Sequence, residues 1–252
     1  VLTVTRVAED QLLILTGDEK IFAVQAWLRR IIHADSLAFS TMITSAYSVL
    51  SIQGPDSRGF LGGITHADMS TEAFPYLTMQ EIDIGYALVK ALRVTYVGEL
   101  GWELYIPTEF SNHVFETLIE SGKDFGLKLI GLQALNTLRL EKAYRDYGGD
   151  IDNTDTPLEV GLGYFVKFDK PGGFIGREAL LELMESGYRY CLPQLLLDDP
   201  EPMLYYGVII YRDGVPVGHI MAGGYCHTLG ASVGVGPVEN PGDIVGWTFL
   251  FP

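Results

Sequence analysis

The segment ALRVTYVGELGWELYIP (91–107) constrains the fold more than any other. Apolar and polar residues alternate on both sides of Gly98-Glu99-Leu100-Gly101, the pattern of two antiparallel strands joined by a four-residue turn. A period of two puts Trp102, Leu104 and Ile106 on one face of the second strand and Glu103 and Tyr105 on the other. The apolar face must be covered by helices or by another sheet. Glu103 has two readings. It is either a solvated residue on an outer face, or both faces are covered and its carboxylate points into a pocket. There it could accept two parallel N–H bonds from an amidine-like edge, the fork geometry of Arg–carboxylate pairs.

Other elements are readable along the chain. GDEKIFAVQAWLRRII (17–32) has helical spacing, and EFSNHVFETLIESGKDFG (109–126) carries Phe110, Val114 and Leu118 on one stripe. YSVLSIQGP reads as a strand ending in Gly-Pro, and Asp56 after it suits the cap of a short helix. GLQALNTLRLEKAYRDYGG (131–149) reads as a further helix closed by Gly148–Gly149. From 188 onward the texture changes to short strands and turns, with Asp213-Gly214 a strong hairpin signal. The expectation is an α+β domain over 1–187 and a small β-domain over 188–252.

Arg139 is out of place. At 100° per residue it falls inside the apolar face made by Leu132, Leu135, Leu140 and Ala143. A guanidinium there cannot shed its charge and needs a partner. That partner is either an internal carboxylate or an anionic ligand. Lys142 and Arg145 lie toward the helix flank, where solvation is expected.

Composition removes several function classes. Seventeen Lys and Arg against 32 Asp and Glu give a net charge of −15 and a pI of about 4.6, which argues against nucleic acid or an anionic membrane as the main partner. No apolar run reaches the roughly 18 residues that span a bilayer. Two cysteines without a C-x-x-C pair indicate neither a disulfide framework nor a cysteine-rich zinc site, and a reducing cytoplasm is the default setting. The acids of YGGDIDNTDTPLE (147–159) lack the EF-hand order and suit local Asx turns. LDDPEP (197–202) reads as a solvated turn, and His227, beside Cys226 in a Gly-bracketed loop, suits a structural or ligand-rim role. No metal site is expected. G-x-S-x-G, H-E-x-x-H, Walker A and G-x-G-x-x-G are all absent, so hydrolase, zinc peptidase and dinucleotide chemistry lack support. Both ends suggest a fragment: the chain begins inside an alternating strand pattern and stops on the apolar VGWTFLFP.

Five ordered segments together are specific. YVGELGWELYIP, LNTLRLEKAYRDYGGDIDNTDTPLEVGLGYFVKFDK, FIGREAL, LDDPEPMLYYGVIIYRDGVPVGHI and GGYCHTLGASVGVG resemble the folate-binding part of the glycine cleavage T-protein (aminomethyltransferase) family. The likeness is nearest to the C-terminal half of dimethylglycine and sarcosine dehydrogenases. The resemblance implies an α+β T-protein-type domain with a folate channel, followed by a β-barrel domain incomplete at its end. It implies tetrahydrofolate as cofactor and transfer of a one-carbon unit from an N-methyl-amine-derived donor. FAD is implied only through a separate N-terminal domain, and a lipoyl carrier only for a free-standing aminomethyltransferase. A catalytically silent folate-binding or regulatory module is the other implied possibility. The setting would be cytoplasmic, or the mitochondrial matrix in a eukaryote.

Residue by residue, the resemblance places Tyr96 and Glu103 on the pterin, with Glu103 reading its N–H edge. Glu99 belongs to the same motif, and Arg139 and Tyr147 to a helix and turn that line the channel. A family Gly-Gly-Ile-x-x-Asp segment would put its Asp at about Val1, with the Gly-Gly portion missing. No catalytic residue is identified.

Overall fold

The computed structural model describes residues 2–239; Val1 and the apolar segment at 240–252, on which the expectations about the family Asp and the chain end rest, lie outside them. By contact the chain separates into two compact units, Val1–Leu129 and Ile130–Pro252.

The first unit opens with a hairpin of β1 (Thr3–Ala8) and β2 (Gln11–Leu15), then helix α1 (Ile21–Ile31). Its centre is a four-stranded antiparallel sheet of β3 (Tyr47–Gln53), β4 (Met79–Ile84), β5 (Ala87–Leu92) and β6 (Gly101–Pro107), in the order β3-β6-β5-β4. Alternation becomes packing here: Trp102, Leu104 and Ile106 of β6 are fully buried. They join Ile82, Ile84, Val89 and Ala91 from the neighbouring strands. Helix α2 (Ser57–Gly62) adds Phe60 and Leu61 to this core, and helix α3 (Ser111–Ser121) adds Val114 and Leu118 from the expected stripe. Asp56 stands at the N-cap of α2 but makes no side-chain capping bond.

The turn is longer than the alternation predicts. β5 ends at Leu92 rather than Val97, so 93–100 forms an eight-residue connection instead of a four-residue one. Leu92 pairs with Glu103 and Ala91 with Leu104, and the chain then leaves the ladder. Beyond Leu92, Arg93 pairs away from β6, its N bonding to Thr78 O and its O to Leu77 N, both at 3.0 Å, and its Nη1 donates to Phe74 O at 2.7 Å.

The second unit begins with helix α4 (Leu132–Glu141). It ends before the expected Gly148–Gly149 because Ala143 turns left-handed (φ 55°) while Tyr144 N bonds back to Arg139 O at 3.0 Å. Helix α5 (Arg177–Ser186) follows, an element that periodicity alone left unread. Seven short strands complete the unit: β7 (Tyr190–Cys191), β8 (Gln194–Leu196), β9 (Ile209–Arg212), β10 (Val215–His219), β11 (Ala222–Cys226), β12 (Ala231–Val235) and β13 (Val238–Glu239). They form two antiparallel sheets, β7-β13-β10-β9 and β11-β12-β8. Asp213 and Gly214 link β9 to β10 with both φ angles positive, 52° and 79°, the turn that the Asp-Gly pair favours.

Helix α4 packs on β11 and β12, with Leu140, Cys226, Val233 and Val235 in one buried cluster. By contact, then, α4 belongs with the late strands. The division at 129/130 lies upstream of the 187/188 division drawn from sequence texture.

Candidate functional site

The two faces of strand β6 differ in burial. Trp102, Leu104 and Ile106 are fully buried on one, and on the other Tyr105 is only 6% exposed and Glu103 half-buried. Register sets the neighbours of the second face. Tyr105 lies between Val49 of β3 and Lys90 of β5, and Glu103 between Ser51 and Leu92. The Tyr105 phenol donates to Oε2 of Glu103, two residues earlier on the same face. Burial, and then this bond to Glu103, push the Tyr105 pKa well above that of an ordinary phenol, so it stays a donor.

Lys90, the nearest cation by register, is engaged by Glu81 Oε1 at 2.5 Å. Among the described residues Glu103 forms no ion pair, and its Oε1 accepts no hydrogen bond. A carboxylate offers about four acceptor positions, and Tyr105 takes one of them. The remainder suit a ligand edge that presents parallel N–H donors.

The loop before β6 carries the other motif residues. Tyr96 is half-buried and Glu99 is exposed at the turn. Gly54 N bonds to Leu100 O at 2.8 Å, tying the loop end to β3. Gln53 Nε2 reaches Ser51 Oγ at 2.9 Å and Val94 O at 3.3 Å, and its Oε1 is buried without a hydrogen-bond partner. Tyr96, Glu99 and Glu103 therefore belong to one loop-and-strand segment of the first unit.

Arg139 and Tyr147 belong to the second unit. Arg139 is 3% exposed and Asp150 4%. The Arg139 Nη1 group donates to Asp150 Oδ2 and to Tyr144 O, and Nη2 donates to Asp150 Oδ1 at 3.2 Å. Nε and Nη2 also reach Asn136 Oδ1, at 3.0 and 2.7 Å. All five guanidinium N–H positions are thus directed at protein acceptors. Of the two readings of this buried cation, the structure shows the internal pair, and it ties α4 to the following turn rather than to a sheet. Asp150 also accepts from Asp146 N at 3.0 Å, so the pair fixes the turn that carries Tyr147. Tyr147 is half-buried against Ile151, Val160 and Leu192.

Arg145 is not a solvated flank residue. It donates to the carbonyls of Ala143, Val160 and Leu192 at 2.9, 3.2 and 2.7 Å, because the helix has already ended and the turn carries the side chain inward. The acidic loop makes local turns, as its composition suggests: Asp152 Oδ1 accepts from Thr154 N and Asp155 Oδ2 from Asp152 N, both at 2.6 Å. Glu159 is fully buried. Burial opposes its ionisation, but Arg189 at 3.1 Å and the bonds from Thr156 outweigh that and hold it below the usual carboxylate value. His227 is exposed beside Tyr225, while Cys226 is buried, which raises its thiol to about 11.

Sequence reasoning missed two partners. Tyr105 had been placed on the same face as Glu103, and the i, i+2 spacing was the signal that they meet. Asp150 stands in an acid-rich stretch directly after the helix whose buried arginine required a carboxylate.

Family comparison agrees with the fold. Residues 2–170 match the model of the GCVT N-terminal domain and residues 191–248 that of the glycine cleavage T-protein C-terminal barrel domain. The chain belongs to the glycine cleavage T-protein family. It is 37% identical, over 97% of its length, to a 4-methylaminobutanoate oxidase (formaldehyde-forming) of Paenarthrobacter nicotinovorans, and covers 30% of that protein. It is 34% identical to mitochondrial dimethylglycine dehydrogenase of Mus musculus, over 92% of this chain and 27% of that one. The chain therefore spans about a third or less of these relatives. The crystal structure of glycine cleavage system aminomethyltransferase T from Bartonella henselae superposes with a TM-score of 0.79 at 24% identity, covering 94% of this chain and 63% of that one. The fold is that of a T-protein, a mixed helix-and-sheet domain followed by a C-terminal barrel domain. Among the described residues no helix is long and apolar enough to cross a membrane, and no group of three or more His, Cys, Asp or Glu side chains could hold a metal.

Proposed function

We propose that this chain binds tetrahydrofolate and serves transfer of a one-carbon unit from an N-methyl-amine-derived donor to it. The observation that carries the reading is the Glu103 carboxylate. It is half-buried, held at Oε2 by Tyr105 and otherwise open, in a chain of the aminomethyltransferase-type family.

A reduced pterin presents an N–H edge on a flat ring, and Glu103 fits that edge by charge and fork geometry. Tyr96 supplies an aromatic wall from the preceding loop. Tyr147 lies on the turn fixed by the Arg139–Asp150 pair, so Arg139 acts by holding that turn. Glu99 is exposed at the same loop and is proposed as a member of the motif with no contact assigned to it. Bound there, tetrahydrofolate supplies the nucleophilic nitrogen that receives the one-carbon unit. The protein's share is placement of that nitrogen and exclusion of water. The folate tail carries its own negative charge and leaves toward solvent, so a net charge of −15 is compatible with binding. The donor is a small amine-derived species, delivered by an FAD-containing domain or subunit or by a lipoyl carrier. The 187/188 division is proposed as the boundary between the folate-binding and barrel domains.

Isothermal titration with 5-formyltetrahydrofolate tests the reading. Saturable one-site binding is expected, and a folded chain that releases no binding heat at several temperatures sinks the proposal.

A further inference from the structure

We infer that Tyr105 is the positioning residue of this site: its phenol orients the Glu103 carboxylate for the ligand without touching the ligand itself. The inference rests on the folate reading above. Glutamate has three side-chain torsions, and a free carboxylate on a strand face samples several orientations. Here one oxygen is held by a donor that is itself buried. Tyr105 is 6% exposed, packed in the row Val49–Tyr105–Lys90, and attached two residues along the same strand. Strand geometry keeps i and i+2 side chains on one face at a set spacing, so the bond orients Glu103 without help from any loop.

Two observations separate this from ordinary packing. A buried phenol needs an acceptor, and here the one described partner of the Tyr105 hydroxyl is the carboxylate of the site, Glu103. The neighbouring cation is withdrawn, because Lys90 is engaged by Glu81 and does not neutralise the carboxylate. The arrangement leaves Glu103 oriented and short of donors, which is the state that rewards a ligand bringing N–H groups. The Tyr105 hydroxyl hydrogen is committed to Glu103, so the phenol has none left to donate to the ligand.

A double-substitution cycle on the full chain tests this, read by titration with 5-formyltetrahydrofolate up to millimolar ligand so that weakened variants stay on scale. Tyr105→Phe keeps the ring and removes the hydroxyl, and it is expected to weaken binding about 5- to 20-fold while the thermal midpoint changes little. In a Glu103→Ala background the same change is expected to have no further effect on affinity. Unchanged affinity in Tyr105→Phe overturns the inference, provided the wild type binds. Equal losses in both backgrounds also overturn it, because Tyr105 would then act independently of Glu103. A wild type that does not bind removes the folate reading instead, so the two failures are distinguishable.

Discussion

Tyr105 donates its phenolic hydrogen to Oε2 of Glu103, two residues earlier on strand β6, and both side chains stand on the face opposite Trp102, Leu104 and Ile106. This carboxylate differs from the two buried acids among the described residues, Asp150 and Glu159. Asp150 is closed by Arg139, Asn136 completes that guanidinium's shell, and Glu159 is held by Arg189 and Thr156. Glu103 alone among these three keeps an oxygen without a described partner.

Breaking the Arg139–Asp150 pair will cost stability. Arg139→Met leaves a carboxylate with 0% side-chain exposure without its cation and is expected to destabilise the second unit by about 3–5 kcal/mol. Arg139→Met/Asp150→Leu, which removes both charges, should recover much of that loss. Urea unfolding followed by far-UV circular dichroism checks both, and a double variant no more stable than the single one contradicts the account.

Asp83 provides a pH-dependent term. His66 donates to it from the ring at 2.5 Å and from the backbone at 3.0 Å, and these bonds lower the Asp83 pKa from 3.8 to about 2. A depressed folded-state value means stability that is fully present above about 4 and lost as pH falls through about 2. Asp83→Asn should therefore lower stability at pH 7, by less than about 1 kcal/mol because the pair is largely exposed, with the deficit shrinking as pH falls toward and below about 2. Melting curves across that range decide it. An unchanged difference at both ends would contradict the assignment.

Gly85 sits at the β4–β5 turn with φ +60°, and a Cβ there would lie 2.2 Å from His113 Nε2, which also accepts from Tyr86 N at 3.3 Å. Gly85→Ala combines backbone strain with displacement of that ring and should cost about 1–2 kcal/mol. Chemical denaturation measures it, and a neutral substitution would show that the turn relaxes freely.

Much of this was legible in the residues. Period-two alternation in WELYIP foretold which side chains of β6 enter the core, because every second residue of a strand shares a face. The stripe Phe110–Val114–Leu118 and the Asp213-Gly214 turn were readable for equally local reasons. Arg139 was visible as a buried cation needing a partner, but its partner depended on where the chain turned after α4. That turn was misread: helical spacing continues through Ala143, yet a left-handed Ala143 and the pull of Arg145 on three carbonyls end the helix early. The loop at 93–100 was misread for a similar reason, since Arg93 bonds to a carbonyl 19 residues away. Long-range side-chain bonds to backbone leave no period in the sequence. Whether Glu103 was solvated or enclosed could not follow from alternation either, because both readings share the same pattern.

The central claim is that Glu103 reads the N–H edge of a reduced pterin. The affinity for 5-formyltetrahydrofolate, measured side by side in the wild type and in Glu103→Gln, tests it most directly. Loss of a charge-assisted pair predicts weakening of about 1–3 kcal/mol, roughly 5- to 150-fold in Kd, with the fold intact. Equal affinity in the two proteins would contradict it.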